Sequence, residues 1–188
     1  QEKRRELGFQ DEDFLILTVA EMNKNKNQAA VLKALSLLKE KEEYAHMKYL
    51  ICGMGEYGAV LRQQAKDLGI EDHVLFMGYR KDIPDIYRCS DLFAFMSYRE
   101  GLPVALMEAM SSGLPTVCSA ARGNTDLIES GKEGMIVENN PQAVAEAILA
   151  LYHDPDRRKQ YGLAAARKVQ QFDRENVHRI MKEIYLNT

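Results

Sequence analysis

The sequence is poor in cysteine, has no marked excess of either charge and lacks a long apolar run, and each of these absences excludes a class of protein. The cysteines are odd in number and widely spaced, which favours buried thiols in a reducing compartment over a disulfide framework or a metal site (Cys52, Cys89 and Cys118). The net charge is −3, from 25 basic and 28 acidic residues, and gives no indication of a nucleic-acid partner. No apolar run reaches the roughly 18–20 residues that span a bilayer, so we expect cytoplasmic residence.

The chain has 188 residues, enough for one domain with a substantial core. Its four histidines are scattered without ligand spacing, and no metal is expected. It opens with a charged segment, residues 1–6, and without a methionine. We interpret the chain as a piece cut at a domain boundary, in which binding would be separated from catalysis.

Short apolar runs alternate along the chain with segments whose apolar residues recur at helical spacing. The predicted strands are 14–20, 48–52, 73–77, 92–96, 116–119 and 135–137. The predicted helices are 28–39, 57–68, 84–88, one that carries Glu108, a short turn at 125–128, and then 143–152, 154–161, 163–172 and 173–185. Such alternation favours parallel pairing with right-handed crossovers. The predicted fold class is therefore α/β, a doubly wound, Rossmann-like parallel sheet of about six strands with C-terminal helices.

One stretch, residues 97–110, connects a buried strand to a helix and carries two carboxylates. Pro103 is expected in the first turn of this helix, where proline is well tolerated. The amides around Leu102, Val104 and Ala105 would then lack partners within the helix and face the positive end of its dipole. The stretch therefore predicts an anion site at the helix tip.

The two glutamates lie on either side of this tip. Glu100 precedes the helix, and Glu108 lies roughly 7–10 Å beyond its start at about 1.5 Å of rise per residue. A nucleoside diphosphate sugar has a matching shape, with phosphates at the tip, ribose at Glu108 and sugar hydroxyls at Glu100. Alternatively, Glu100 complements the helix dipole and Glu108, among apolar residues, is buried and neutralised by a lysine or arginine. Spacing alone leaves both interpretations open.

The residues around these glutamates resemble a known family. Glu100 and Glu108 enclose Gly-Leu-Pro-Val-Ala-Leu-Met, and Glu-Ala-Met and a Gly-Leu-Pro turn at 113–115 follow. This pattern resembles the retaining, GT4-like nucleotide-sugar glycosyltransferases of group 1, which have the GT-B fold, and among them the bacterial polysaccharide-biosynthesis type. The resemblance covers nearly the whole chain. It identifies residues 1–188 as a single nucleotide-sugar-binding domain, the C-terminal half of a two-domain enzyme without its N-terminal acceptor domain.

The resemblance implies transfer of a sugar, with retention, from a nucleotide-diphosphate sugar to a glycan or lipid-linked glycan held by the missing domain. It implies no metal and no cofactor, an inactive fragment, and peripheral contact with the inner face of the membrane only through the missing half. The implied roles are a catalytic and sugar-orienting one for Glu100, diphosphate binding for Lys26, Gly101, Leu102 and Val104, ribose binding for Glu108, and nucleobase binding for Tyr79 and Ile83.

The chain departs from the family pattern in the loop after the first predicted strand. The arginine that usually stands five residues before Lys26 is Glu21, and a carboxylate would repel a diphosphate. Arg122 and Arg99 are candidates to supply the missing charge. In the same loop, Asn27 is expected to cap the next helix. Asp126 stands where many members carry glutamate, without an assigned role.

Two alternatives remain. Residues 53–58 match the glycine pattern of dinucleotide-binding folds, with Asp82 loosely near the expected acidic position. The first alternative is therefore a non-catalytic or NAD-dependent nucleotide-binding domain of the same fold class. A lone glycine pattern is a weak signal, because tight strand-to-helix turns need glycine anyway. The other is a glycosidase that uses Glu100 and Glu108 as acid and nucleophile.

Overall fold

The computed structural model describes residues 2–172, whose strands form one six-stranded sheet with every neighbouring pair parallel. The strands are β1 (Phe14–Val19), β2 (Met47–Cys52), β3 (Val74–Gly78), β4 (Leu92–Phe95), β5 (Thr116–Ser119) and β6 (Gly134–Val137). Their spatial order is β3-β2-β1-β4-β5-β6. The doubly wound parallel sheet predicted from the alternation is confirmed, and its topological switch point lies between β1 and β4.

Helices cover both faces of this sheet. They are α1 (Glu2–Glu6), α2 (Gln28–Leu37), α3 (Gly58–Asp67), α4 (Ile83–Cys89), α5 (Val104–Ser111), α6 (Arg122–Leu127), α7 (Pro141–His153) and α8 (Pro155–Val169). Short 3₁₀ segments lie at Glu42–His46, Glu71–His73 and Gln170–Phe172. None of the described helices combines the length and apolar character that crossing a bilayer requires.

The core consists of two layers, one on each face of the sheet, because successive strand residues point to opposite sides. From β1, Phe14 and Ile16 pack with buried residues of α2, α3 and α7. Leu15 and Leu17 pack on the other face with buried residues of α4, α5, α6 and α8. Each fully buried aliphatic side chain stabilises the fold by about 1.5–3 kcal/mol. The two core layers thus hold α5, which carries Glu108, against the face opposite α2 and α7.

The three cysteines are buried free thiols, as the sequence predicted. Burial raises the pKa of Cys118 to about 12, so this thiol stays protonated at neutral pH.

The C-terminal helices differ from the sequence-based prediction. Residues 155–169 form one continuous helix, whereas the sequence predicted two helices separated at Gly162. Gly162 lies against the turn after α5, where an added Cβ would stand 2.0 Å from the carbonyl oxygen of Gly113. Glycine at this position therefore permits close packing of α8 rather than ending it. The predicted helix 173–185 lies outside the described residues.

The charged segment at the start, to which no element was assigned from the sequence, contains the short helix α1. Its Arg4 bonds to Asp91 and to the backbone carbonyl of Asp13, which attaches the helix to the amino ends of β1 and β4. Because these contacts join residues up to 87 positions apart, no local sequence pattern predicts them.

Candidate functional site

The loops that follow β1 and β4 meet at the carboxyl edge of the sheet, at the switch point. Asn25 joins them: its side-chain amide donates to the carbonyl of Arg99 (2.9 Å) and its Oδ1 accepts from the amide of Arg99 (3.1 Å). The carbonyl of Asn25 also accepts from the amide of Tyr98, at 2.8 Å. No local signal in the sequence points to Asn25, because the pairing depends on β1 and β4 being neighbours. These three hydrogen bonds fix the backbone that leads into Glu100.

Lys26 and Glu100 form an ion pair at this edge, with 2.6 Å between Nζ and Oε1. The lysine side chain is 22% exposed and the glutamate side chain 8%. The ammonium also lies 5.3 Å from the ring centre of Phe95, and the Lys26 amide donates to Oδ1 of Asn23. The structure thus brings together two residues that the sequence assigned to one site, and each partner reduces the cost of burying the other.

The tip of α5 differs in one respect from the prediction. Pro103 is not in the first turn but at the N-cap position, with φ −80° and ψ 90°, and helical backbone begins at Val104. The segment before Pro103 packs against α6: the amide of Gly123 donates to the carbonyl of Glu100. The Pro103 carbonyl accepts from the amides of Leu106 and Met107.

The amides of Val104 and Ala105 precede these first bonded donors and lie at the positive end of the helix. Gly101, Leu102 and Val104 are exposed, and Leu102 and Val104 are among the exposed large apolar residues. The helix tip that the sequence proposed for diphosphate binding is therefore open to solvent.

Glu108 lies in the middle of α5 and is exposed, not buried among the apolar residues that surround it in sequence. It lines two grooves, one between α5 and α8 and another of about 300 Å³ between α4 and α5. Within residues 2–172 its bonded partner is the hydroxyl of Tyr87, 3.3 Å from Oε2, and not the lysine or arginine that the second interpretation expected. This carboxylate is accessible to a ligand.

The residues proposed to seat a nucleobase differ in exposure. Tyr79, after β3, is 73% exposed, so it does not pack beneath a loop. Ile83, the first residue of α4, is half-buried and lines the groove that also holds Glu108. The structure therefore brings Ile83 and Glu108 to one groove, whereas Tyr79 is not among the residues that line it.

Asp82, the loosely matching acidic position of the dinucleotide pattern, forms ion pairs with two basic side chains. Arg80 forms two hydrogen bonds to it (2.8 and 2.6 Å), and Lys3 lies at 2.7 Å. These donors hold the pKa of the Asp82 carboxyl well below its usual range. A carboxylate so engaged is poorly available to a ribose.

The glycines of the same pattern have a packing explanation. A Cβ at Gly53 would lie 2.0 Å from the carbonyl oxygen of Ala20, and one at Gly55 would lie 2.3 Å from that of Met22. The loop after β2 thus lies directly on the loop after β1, and only residues without a side chain permit this approach.

The cations proposed to replace the family arginine lie on different elements. Arg122 is exposed and is the first residue of α6, which begins three residues before the predicted turn. Its neighbour Gly123 packs on Gly101, where an added Cβ would lie 2.2 Å from the carbonyl oxygen. The start of α6, which carries Arg122, thus lies next to the tip of α5. Arg99 instead lines a separate groove with Lys24 and other residues of the β1 loop.

Glu21, at the position of the family arginine, is exposed and accepts a hydrogen bond from the side chain of Asn23 at 3.0 Å. Asp126 is exposed on α6. Neither side chain forms an ion pair with another residue between positions 2 and 172.

Asn27 occupies the N-cap position of α2, but its side chain does not cap the helix as expected. Its backbone is left-handed (φ 48°), and its side-chain amide instead donates to Oδ1 of Asn139 at 2.7 Å. Asn139 in turn donates to the carbonyl of Met96 at the end of β4. The side chain therefore ties the Lys26 loop to the loops after β4 and β6.

Comparison with known proteins shows which family the chain matches. The family pattern described as "Glycosyl transferases group 1" matches residues 1–168. The chain is 30% identical to a D-inositol 3-phosphate glycosyltransferase of Corynebacterium kroppenstedtii, with 98% of this chain and 43% of that protein covered. It is 31% identical to UDP-Gal:alpha-D-GlcNAc-diphosphoundecaprenol alpha-1,3-galactosyltransferase of Escherichia coli, over 73% of this chain and 36% of that protein.

Crystal structures of HepE from Anabaena, in complex with UDP and with UDP-glucose, superpose on the chain with TM-scores of 0.90 and 0.88. They are 25% identical to it and cover 100% of this chain and 52% of HepE. The chain spans about half the length of HepE and less than half of the curated relatives named above. The matched pattern covers most of the 188 residues, and the chain therefore belongs to the group 1 glycosyltransferases.

Proposed function

We propose that this chain is the donor-binding half of a retaining, GT4-like hexosyltransferase. It binds a nucleotide-diphosphate sugar and presents the anomeric carbon to a glycan or lipid-linked glycan held by an N-terminal domain. The observation that carries the proposal is the placement of the Lys26–Glu100 pair at the open tip of α5, with Glu108 exposed further along the same helix. The bound UDP and UDP-glucose of HepE support a nucleotide-sugar donor.

The diphosphate is proposed to bind at the tip of α5. The amides of Val104 and Ala105 are available to it as donors, and Lys26 adds a positive charge. Arg122 is a further candidate partner, because α6 packs on Gly101 next to the tip. Fixed donors that face the leaving diphosphate stabilise the negative charge that develops when the sugar departs, which is the largest electrostatic contribution in such reactions.

The sugar and the nucleoside are proposed to lie on opposite sides of the diphosphate. Glu100 orients the sugar hydroxyls beside the reacting carbon. Glu108 accepts from the ribose, since four residues of helix place its backbone about 6 Å from Val104. Ile83 and Tyr79 border the nucleobase. Lys26 pairs with Glu100, and we expect it to bridge Glu100 and the diphosphate when the donor is bound.

The remaining roles concern the whole enzyme. Retention of configuration, metal-independent transfer and inactivity of the isolated half follow from the family resemblance. The name of the Escherichia coli relative, which specifies a diphosphoundecaprenol acceptor, supports a lipid-linked acceptor. We place the enzyme in the cytoplasm, with peripheral contact at the inner face of the membrane through the N-terminal domain.

Isothermal titration of the 188-residue chain with UDP-, GDP- and ADP-sugars tests the donor proposal, with NADH fluorescence titrated in parallel. We expect one nucleotide sugar to bind and Glu108→Ala to weaken its binding by about tenfold, the usual effect of losing a charged hydrogen-bond acceptor. Glu146→Ala is the matched control, because Glu146 is also an exposed helical glutamate but lies on α7, on the opposite face of the sheet.

Absence of binding by every nucleotide sugar at millimolar concentration would contradict the donor proposal. Binding of NADH instead would favour the dinucleotide alternative. Equal losses in Glu108→Ala and Glu146→Ala would show that Glu108 has no special role.

A further inference from the structure

Tyr87 connects α4 to the helix that carries Glu108. The residue is 2% exposed, and its ring packs near Phe93 with 5.7 Å between ring centres. Its hydroxyl donates to the carbonyl of Ala105 at 2.9 Å and also lies 3.3 Å from Oε2 of Glu108. A buried aromatic side chain therefore ends in a polar group directly beneath the proposed ribose carboxylate.

The hydroxyl has one hydrogen and two acceptors, and both acceptors belong to α5. A carboxylate oxygen only accepts, so the contact with Glu108 exists only while the tyrosine keeps its hydrogen. Burial, together with the negative charge of Glu108, raises the pKa of Tyr87 above its ordinary value, and the hydroxyl stays protonated at neutral pH.

The contact restricts one oxygen of the carboxylate and leaves the other available. In the described part of the chain no side chain or amide bonds to Oε1 of Glu108, and Glu108 itself lines the groove with Ile83, Tyr87 and Arg88. An exposed glutamate would otherwise sample several rotamers. A contact at Oε2 limits these rotamers, and this reduces the entropy lost when a ligand hydroxyl binds to Oε1.

We propose that Tyr87 is a positioning residue for ribose recognition: it holds Oε2 of Glu108 so that Oε1 accepts from the 2′- and 3′-hydroxyls of the donor nucleoside. The inference rests on the proposed function, since it assigns the support of the same site. In this role Tyr87 helps the chain to bind a ribonucleotide more tightly than a nucleotide without these hydroxyls.

Titration of the 188-residue chain with UDP, ADP and GDP and with their 2′,3′-dideoxy counterparts tests the inference. The variants are Tyr87→Phe, Glu108→Ala and the double variant. Tyr49→Phe is the matched control, because Tyr49 is equally buried and bonds to Thr18 at 2.9 Å, but belongs to the core layer on the other face of the sheet. Near-ultraviolet circular dichroism checks that each variant is folded.

We expect the wild-type chain to bind a ribonucleotide more tightly than its dideoxy form. Tyr87→Phe should reduce this ratio by about three- to tenfold and should leave dideoxynucleotide binding unchanged. This is less than the effect of a full hydrogen bond to a charged group, because the hydroxyl shares its one hydrogen with the carbonyl of Ala105. The substitution should have no further effect in Glu108→Ala, and Tyr49→Phe should keep the wild-type ratio.

Other outcomes overturn specific statements. Equal weakening of both nucleotide forms by Tyr87→Phe, an unchanged ratio, or a wild-type chain that does not distinguish the two forms would refute the positioning role while donor binding stands. The positioning role would also be refuted if Tyr87→Phe lowered the ratio of ribonucleotide to dideoxynucleotide binding as much in Glu108→Ala as in the wild-type chain. A wild-type chain that binds none of the nucleotides would refute the proposed function itself, and the inference with it.

Discussion

The tip of α5 and its middle each hold one carboxylate, and their surroundings differ. The side chain of Glu100 is 8% exposed and has the Lys26 ammonium at 2.6 Å. Glu108 is exposed, and its bonded partner among residues 2–172 is the neutral hydroxyl of Tyr87. A buried charge requires a counter-charge, whereas an exposed one keeps its hydration. The two glutamates of the motif thus differ in their surroundings: Glu100 is held by an ion pair, and Glu108 is open to solvent.

The largest effect expected from this difference is on stability. Lys26→Met leaves Glu100 without its counter-charge, and we expect the free energy of unfolding to fall by about 2–3 kcal/mol, somewhat less than for a fully buried pair because Lys26 is partly exposed. Urea denaturation measures the change. The double variant Lys26→Met/Glu100→Gln should recover most of the loss, since it leaves no unpaired charge.

Lys132→Met is the control for that measurement. Lys132 pairs with Glu129 at 2.7 Å, but both side chains are more than half exposed. Its denaturation midpoint should stay at the wild-type value. If Lys26→Met also kept the wild-type midpoint, the contrast between a structural Glu100 and an accessible Glu108 would not hold.

A smaller effect is expected from the backbone clamp beside Glu100. Asn25→Ala removes two side-chain hydrogen bonds to Arg99, and we expect a loss of about 1–2 kcal/mol in unfolding free energy. It should also weaken nucleotide-sugar binding several-fold, because the backbone next to Glu100 is no longer fixed. Thermal denaturation and isothermal titration measure the two quantities.

Asn140→Ala separates these two effects. Asn140 caps α7 through the amide of Ala143, on the other face of the sheet, and its loss costs a similar amount of stability. It should leave nucleotide-sugar binding unchanged. Equal weakening of binding in both variants would indicate that Asn25 acts only through overall stability.

The smallest effect is expected at a third carboxylate, Asp82. Its side chain is 26% exposed and pairs with two cations, Arg80 and Lys3. Its pKa is depressed in the folded chain, so its contribution to stability is present above the ordinary carboxyl pKa of about 4 and is lost as the pH falls below it. We therefore expect wild type to lose more stability than Asp82→Asn between about pH 4 and pH 2, as measured by thermal midpoints. Parallel losses would show that these ion pairs do not stabilise the fold.

The features that the sequence predicted are those set by local apolar pattern. The runs that form β1 to β6 are short and apolar, and the helical spacing of Ala30, Val31 and Leu35 after β1 is visible without knowledge of the fold. Short apolar strands that alternate with helices leave few arrangements of a parallel sheet. For this reason the fold class could be predicted, and with it the edge of the sheet at which the loops converge.

The errors concern contacts between distant segments. Gly162 looked like a helix break, yet its role is to admit the turn at Gly113. Asn27 looked like a cap, yet its amide reaches Asn139, which is 112 positions away. Glu108 looked buried because its sequence neighbours are apolar, but helical geometry turns it outwards. Each property depends on which elements pack together, and local propensity does not contain that information.

The two glycine contacts of α5 have a mechanical consequence. At the front of the helix, Gly123 lies against the carbonyl of Gly101; at the rear, Gly162 lies against that of Gly113. A side chain at either position would collide with backbone, so the segments before and after α5 pack closely on α6 and α8. Both ends of α5 are thereby held against neighbouring helices, so the proposed diphosphate tip and Glu108 lie on an element that is anchored at each end.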